Sequence, residues 1–200
     1  GFNVEHSIHT YGMGAIIQNS NGMTLQFTND LPLQEREVVE EKKKSTVYYK
    51  YFDKTADYIS ETKNESVNLE EPVQWVSLKQ QFFNTSIYSE KPFLKGSVVT
   101  TKDTISNKNV KNMSASLSLP YEAGRDQDFK IKYFFGPNQY QTLKDQGIGL
   151  DKIIPLGWGI FGWMNRFMII PIFNFLQGYL SNYGIIILLL TLIIKTLLLP

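Results

Sequence analysis

Lys195 occupies the setting in this chain that most demands a chemical reason. It sits in Leu192-Ile193-Ile194-Lys195-Thr196-Leu197-Leu198, and a charge inside a membrane helix costs about 2.5–3.5 kcal/mol on insertion scales. Either the ammonium snorkels to the membrane edge, or it faces a polar space inside a helix bundle. Thr191 lies one turn earlier on the same side, where its hydroxyl could line that space or bond the preceding turn's carbonyl. Other candidates are thinner. Glu5, His6 and His9 could make a weak metal or acid–base cluster, but no nucleophile motif or third histidine supports it. Asp126 and Asp128 could hold a cation at a strand end, yet an exposed turn beside Gly124 and Arg125 explains them better. Asn64-Glu65-Ser66, Asn84-Thr85-Ser86 and Asn112-Met113-Ser114 fit a glycosylation triplet. Three matches in an Asn-rich chain need no explanation.

Composition divides the chain into two solvents. Of its 39 Lys, Arg, Asp and Glu residues, 35 fall in residues 1–150, as 17 basic and 18 acidic, net −1. From Ile153 onward only Arg166 and Lys195 are charged. The mean hydropathy of −0.20 and net charge of +1 average over these halves and describe neither. A water-soluble domain followed by membrane segments is expected. Near-neutrality, with no basic run beyond Lys42-Lys43-Lys44, argues against nucleic acid as a partner. The absence of cysteine excludes disulfides, thiol nucleophiles and thiolate metal sites. Two histidines are too few for a multi-histidine metal centre, and no cofactor is expected. The chain opens without Met and stops after an apolar run, so both ends are expected to be cuts.

Residues 1–135 carry period-two patterning. Gly22 to Thr28, Thr46 to Phe52, Met113 to Leu119 and Phe129 to Phe135 alternate or are rich in β-branched and aromatic residues. Asn19-Ser20-Asn21-Gly22, Ser106-Asn107-Lys108-Asn109 and Ala123-Gly124-Arg125-Asp126 punctuate them as turns. Mainly antiparallel β-structure in a sandwich follows. Glu35 to Lys44 reads as a charged surface loop. Val73 to Tyr88 reads as two strands or one bulged strand, with Trp75, Phe82 and Phe83 as structural core.

Residues 136–157 read as a connector, turning at Phe135-Gly136-Pro137-Asn138 and released by Gly147 and Gly149. In residues 158–180, Ile160, Phe161, Met164, Phe167, Met168, Ile172, Phe175 and Tyr179 share one helical face. Asn165, Arg166, Asn174 and Gln177 lie on the other. An amphipathic helix lying in the membrane interface fits, with Trp158, Trp163 and Arg166 at the interface, although a spanning helix competes. Pro171 should kink it or end a first helix. Residues 182–200 read as a transmembrane helix capped by Ser181-Asn182. Its 18 residues from Tyr183 to Pro200 rise about 27 Å, close to the hydrocarbon thickness.

The order of strand-rich domain, Tyr133-Phe134-Phe135-Gly136-Pro137, tryptophan-bearing helix and Asn182-Tyr183-Gly184-Ile185-Ile186-Ile187…Lys195…Pro200 resembles the YidC/Oxa1/Alb3 family of membrane protein insertases. The likeness covers essentially the whole chain and is strongest over residues 131–200. Trp75…Phe82-Phe83 is similar to the family's large periplasmic domain, and the isoleucine-rich wording around the lysine is similar to versions from Bacteroidota. The resemblance implies an antiparallel supersandwich of galactose-mutarotase-like form, here its later part. An interfacial helix and the first helix of a five-helix core would follow. It implies a bacterial inner-membrane protein, multi-pass when complete, with residues 1–135 in the periplasm. The implied partners are nascent membrane proteins, the Sec translocon and the phospholipid bilayer, with the ribosome reached through regions outside this chain. The family's usual groove arginine matches Lys195, a looser point charge that cannot grip a carboxylate bidentately.

A non-enzymatic insertase is therefore the expected function, with Lys195 and Thr191 at the client-binding groove. One alternative is an envelope carbohydrate-binding or carbohydrate-modifying sandwich with an anchor, which would need paired carboxylates or a histidine acid–base pair. Another is a passive anchored structural domain. Lys195 argues against that.

Overall fold

The computed structural model describes residues 1–11, 22–32, 38–102, 109–122, 125–157 and 159–198. Strand residues outnumber helical ones, 44% against 28%, so the fold is mainly β. The chain divides into two compact units, Gly1–Ile153 and Ile154–Pro200.

Among the described residues of the first unit ten strands form two antiparallel sheets: β1 (Phe2–His9), β2 (Thr24–Pro32), β3 (Thr46–Tyr51), β4 (Ala56–Tyr58), β5 (Glu65–Leu69), β6 (Val73–Lys79), β7 (Phe83–Phe93), β8 (Gly96–Lys102), β9 (Asn109–Ser118) and β10 (Asp128–Pro137). One sheet has the order β1-β10-β7-β6-β3-β4 and the other β2-β9-β8-β5. The first described strand closes on the last: Phe2 stands opposite Phe135, and His9 opposite Asp128. As an edge strand β1 leaves Phe2 and Val4 exposed, at 64% and 44%.

Alternation fills the space between the sheets. Val76, Leu78, Ile87, Phe129 and Ile131 point inward from one sheet, and Leu31, Val98, Met113, Ala115 and Leu117 from the other. Each such side chain contributes about 1.5–3 kcal/mol when fully buried. The patterned segments are strands, and the Val73 to Tyr88 stretch is two of them. Gln80 N–H donates to Phe83 O at 2.8 Å to close the turn between β6 and β7. A register shift falls between Val73 and Trp75.

Trp75 is fully buried, but it lies outside the cluster between the sheets. Because Val76 and Leu78 face inward, Trp75, Ser77 and Lys79 face the opposite side of the first sheet. The indole N–H there donates to Ile148 O at 3.0 Å. Phe82 and Phe83 are not core residues. They are 53% and 52% exposed, one in the turn and one opening β7, because the turn restarts the alternation and gives the buried place to Asn84. The expected connector is corrected as well. Its residues through Ile153 belong to the first unit, as α2 (Tyr140–Lys144) and a 3-10 turn (Leu150–Ile153), with Leu143, Leu150 and Ile153 fully buried.

The charged stretch expected as a loop contains a helix, α1 (Val38–Lys44); residues 33–37 lie outside the described set. Distant side chains supply the partners that the last carbonyls of a helix need. Lys79 Nζ donates to Lys44 O at 3.2 Å, and Lys111 Nζ donates to Ser45 O at 2.5 Å and Glu61 O at 2.6 Å. Lys111 shares the inward side of β9 with Met113, Ala115 and Leu117, and it is fully buried. Burial pushes its pKa down to about 8, with Glu61 opposing the shift and Lys102 adding to it. The turn expected at 19–22 falls outside the described residues except for Gly22, which takes φ 97°. Of the other two expected turns, 106–108 and 123–124 also lie outside.

Lys111 makes stability depend on pH with a definite sign. Below pH 8 folded and unfolded chains both hold its proton; between about 8 and 10.5 only the unfolded chain does. Relative to Lys111→Met, the parent should therefore gain about 2 kcal/mol between pH 8 and 9.5. Denaturant titrations followed by far-UV circular dichroism measure this. They should stop there, because Tyr48 and Tyr49, raised to about 12 by burial, impose the opposite slope above pH 10. A pH-independent difference between the two proteins would refute the assignment.

Candidate functional site in the membrane unit

The second unit begins with an almost uninterrupted apolar helix. Its parts are α3 (Gly159–Met164), a π turn (Asn165–Ile169) and α4 (Ile170–Gln177). Pro171 neither ends it nor separates two helices. Met164, Ile169 and Ile170 all keep right-handed helical angles. Proline has no N–H and crowds the carbonyl four residues back. The wider turn just before it accommodates that defect. Asn165 adds a tie to the chain entering the helix, its Nδ2 donating to Leu156 O at 2.7 Å.

Exposure, not burial, characterises this helix. Ile160, Phe161, Trp163, Phe167 and Phe175 are 58–74% exposed, and no residue of the span is buried. Trp163 packs near Phe167, with ring centroids 5.9 Å apart. Arg166 lies exposed within the π turn, while Trp158 falls outside the described residues. Gly159–Gln177 is long and apolar enough to cross a membrane, with 19 residues and mean hydropathy 1.2.

A polar elbow joins this helix to α5 (Tyr183–Leu198). Gln177 Nε2 donates to Tyr183 OH at 2.9 Å, and the Tyr183 ring stacks 6.2 Å from Phe173. Asn182 Oδ1 accepts from the amides of Gly184 at 2.9 Å and Ile185 at 3.3 Å, an N-cap that satisfies two orphan donors. The Ser181-Asn182 pattern signalled this cap. Nothing in the sequence signalled the Asn165 and Gln177 contacts, which join positions set only by the fold.

Thr191 and Lys195 occupy the same face of α5, one turn apart, and both are exposed. Thr191 Oγ1 donates to Ile187 O at 2.8 Å. Its proton serves its own helix, and its lone pairs are what it offers outward. No acidic residue occurs in the sequence of this unit to neutralise Lys195.

The polar candidates of the first unit take other roles. His9 Nδ1 lies 2.5 Å from Asp128 Oδ1, and Tyr11 OH donates to Asp128 Oδ2 at 2.9 Å. The His9 hydrogen bond, then that of Tyr11, holds the Asp128 carboxyl below the usual carboxylate range. Glu5 faces Lys132 at 3.9 Å, and the Glu5–His6–His9 cluster that the sequence argued against plays no part in this group. Among the described residues no group of three His, Cys, Asp or Glu could hold a metal ion. The His9–Asp128–Tyr11 group ties the end of β1 to β10 at an exposed surface.

The family described as YidC periplasmic domain matches residues 11–171, which takes in β2 to β10 and part of the apolar helix. Three curated relatives carry the name membrane protein insertase YidC. The one from Parabacteroides distasonis is 31% identical over 98% of this chain and 32% of its own length. That from Amoebophilus asiaticus is 36% identical over 83% and 28%, and that from Porphyromonas gingivalis 35% over 91% and 30%. The chain thus spans about a third of the length of these relatives.

The cap gives a local test. Asn182→Ala should cost about 0.5–2 kcal/mol of helix stability and speed hydrogen exchange at the Gly184 and Ile185 amides. Unchanged exchange at both would show that the cap contributes nothing.

Proposed function

The chain belongs to the YidC family, and on that premise we propose that it is part of an insertase that helps newly made proteins enter the bacterial inner membrane. The sandwich stands in the periplasm in this reading. The helix over 159–177 lies along the interface, and α5 is the first helix of a membrane core completed by further segments. Clients are nascent membrane proteins, received alone or from the Sec translocon, with ribosome contacts made elsewhere in the protein.

Lys195 carries the reading. An unneutralised cation on an exposed face of an aliphatic helix needs water or a partner, and a wet groove offers both. A client's polar flank meets the same cost in hydrocarbon. Inside the groove it keeps hydration while the apolar segment leaves sideways into lipid. The ammonium favours acidic flanks, and the Thr191 oxygen adds an acceptor one turn away. No covalent bond changes. The protein lowers the barrier to partitioning, so the activity is not enzymatic.

The test compares Lys195→Arg, Lys195→Gln and Lys195→Ala in the complete protein at matched expression, with clients differing only in tail charge. Arginine should preserve insertion, while glutamine and alanine should depress it most for acidic tails. Equal insertion of every client by all three would reduce Lys195 to a snorkelling residue. An equal loss for neutral and acidic tails would discard charge attraction.

Helix placement has its own measurement. Spin labels at Arg166 and Gln177 should report similar shallow depths by lipid quenching. Depths on opposite sides of the bilayer would make the 159–177 helix a spanning one.

A further inference from the structure

Beyond β10 the chain is held to the first sheet at several points. Asn138 N–H donates to Phe82 O at 2.7 Å. Its side-chain Nδ2 donates to Gln80 O at 2.8 Å and Gln81 O at 3.1 Å, and its Oδ1 accepts from Asn84 Nδ2 at 2.9 Å. One asparagine therefore closes over the β6–β7 turn. Ten residues further on, Ile148 O takes the Trp75 indole proton between two glycines with positive φ, Gly147 at 72° and Gly149 at 76°. Leu143, Leu150 and Ile153 complete the attachment, each with no exposed surface.

We infer that residues 138–153 are a docked strap whose attachment sets the length of free chain between the sandwich and the membrane helices. With the strap docked, only residues 154–158 separate Ile153 from Gly159, a reach of at most about 22 Å. Asn165 shortens even that by holding Leu156. With the strap released, residues 138–158 become free, and the reach rises to about 75 Å at full extension. The entropy of a tether changes slowly with its length, but the volume it sweeps changes steeply. Trp75 and Asn138 are thus positioning residues: they act on the membrane unit through the strap. This goes beyond the insertase reading and stands or falls separately from it.

The chain has no cysteine, so paired labels within it need no prior replacements there. In the full-length protein, with any cysteine outside this chain replaced by serine and the protein held in a bilayer, spin labels go at Lys91→Cys and Tyr179→Cys. Both positions are exposed. The distance distribution should be narrow in the parent. The double variant Trp75→Phe, Asn138→Ala, which keeps an aromatic ring in place, should at least double its width and raise hydrogen exchange over 139–153 at least tenfold. Sixteen Gly/Ser residues inserted after Pro155 should reproduce the broadening while leaving strap exchange unchanged. The inference is overturned if the freed strap leaves the width unchanged, or if the parent is already as broad as the insertion variant. It is also overturned if β2 and β9 lose exchange protection together with the strap, since the segment would then be inseparable from the sandwich.

Discussion

The hydrogen bond from the Trp75 indole to Ile148 O joins the two things the first unit must do at once. A sheet packed on one face usually shows its other face to water, with polar residues alternating outward. Here the outward positions of β6 are Trp75, Ser77 and Lys79, all buried, so this sheet is covered on both sides. The second cover is no sheet: Trp75 meets the turn at Ile148, and Lys79 meets the carbonyl end of α1. Burying an indole without a partner for its N–H is costly, and the carbonyl of a turn residue meets that need. The 16 residues before the second unit are thereby drawn into the first.

What the sequence made legible were features with a local period. The strands around Phe27, Tyr49, Ala115 and Tyr133 could be read from alternation alone, and so could the Asn182 cap. What it concealed were partners supplied from far away. The helix at Val38–Lys44 looks like loop material until Lys79 and Lys111 arrive at its carbonyl end. His9 and Asp128 are 119 residues apart, so no spacing rule could have paired them. Phe82 and Phe83 misled for a different reason. Aromatic residues suggest a core, but a turn resets which side of the strand faces inward.

The second unit shows the reverse balance. Composition marks its apolar helices at once, while their polar contacts depend on the fold. Pro171 suggested a break that the π turn removes. The Thr191 hydroxyl bonds its own helix, and Lys195 stands on the same face without an acid anywhere in the unit's sequence. The candidate site was thus visible as a residue type in the wrong solvent. Its geometry was not.

Pairing β1 with β10 gives the fold a timetable. β1 must wait for β10, since His9 and Asp128 are separated by 119 residues. At about 5–20 residues per second, roughly 6–24 s of synthesis pass between them. Throughout that interval Phe2, Val4 and Ile8 lack their partners on β10, while the β6–β7 hairpin can close as soon as it exists. Such long-range closure is slow compared with hairpin formation. The growing chain therefore carries β1 without its β10 partner until synthesis has passed residue 137.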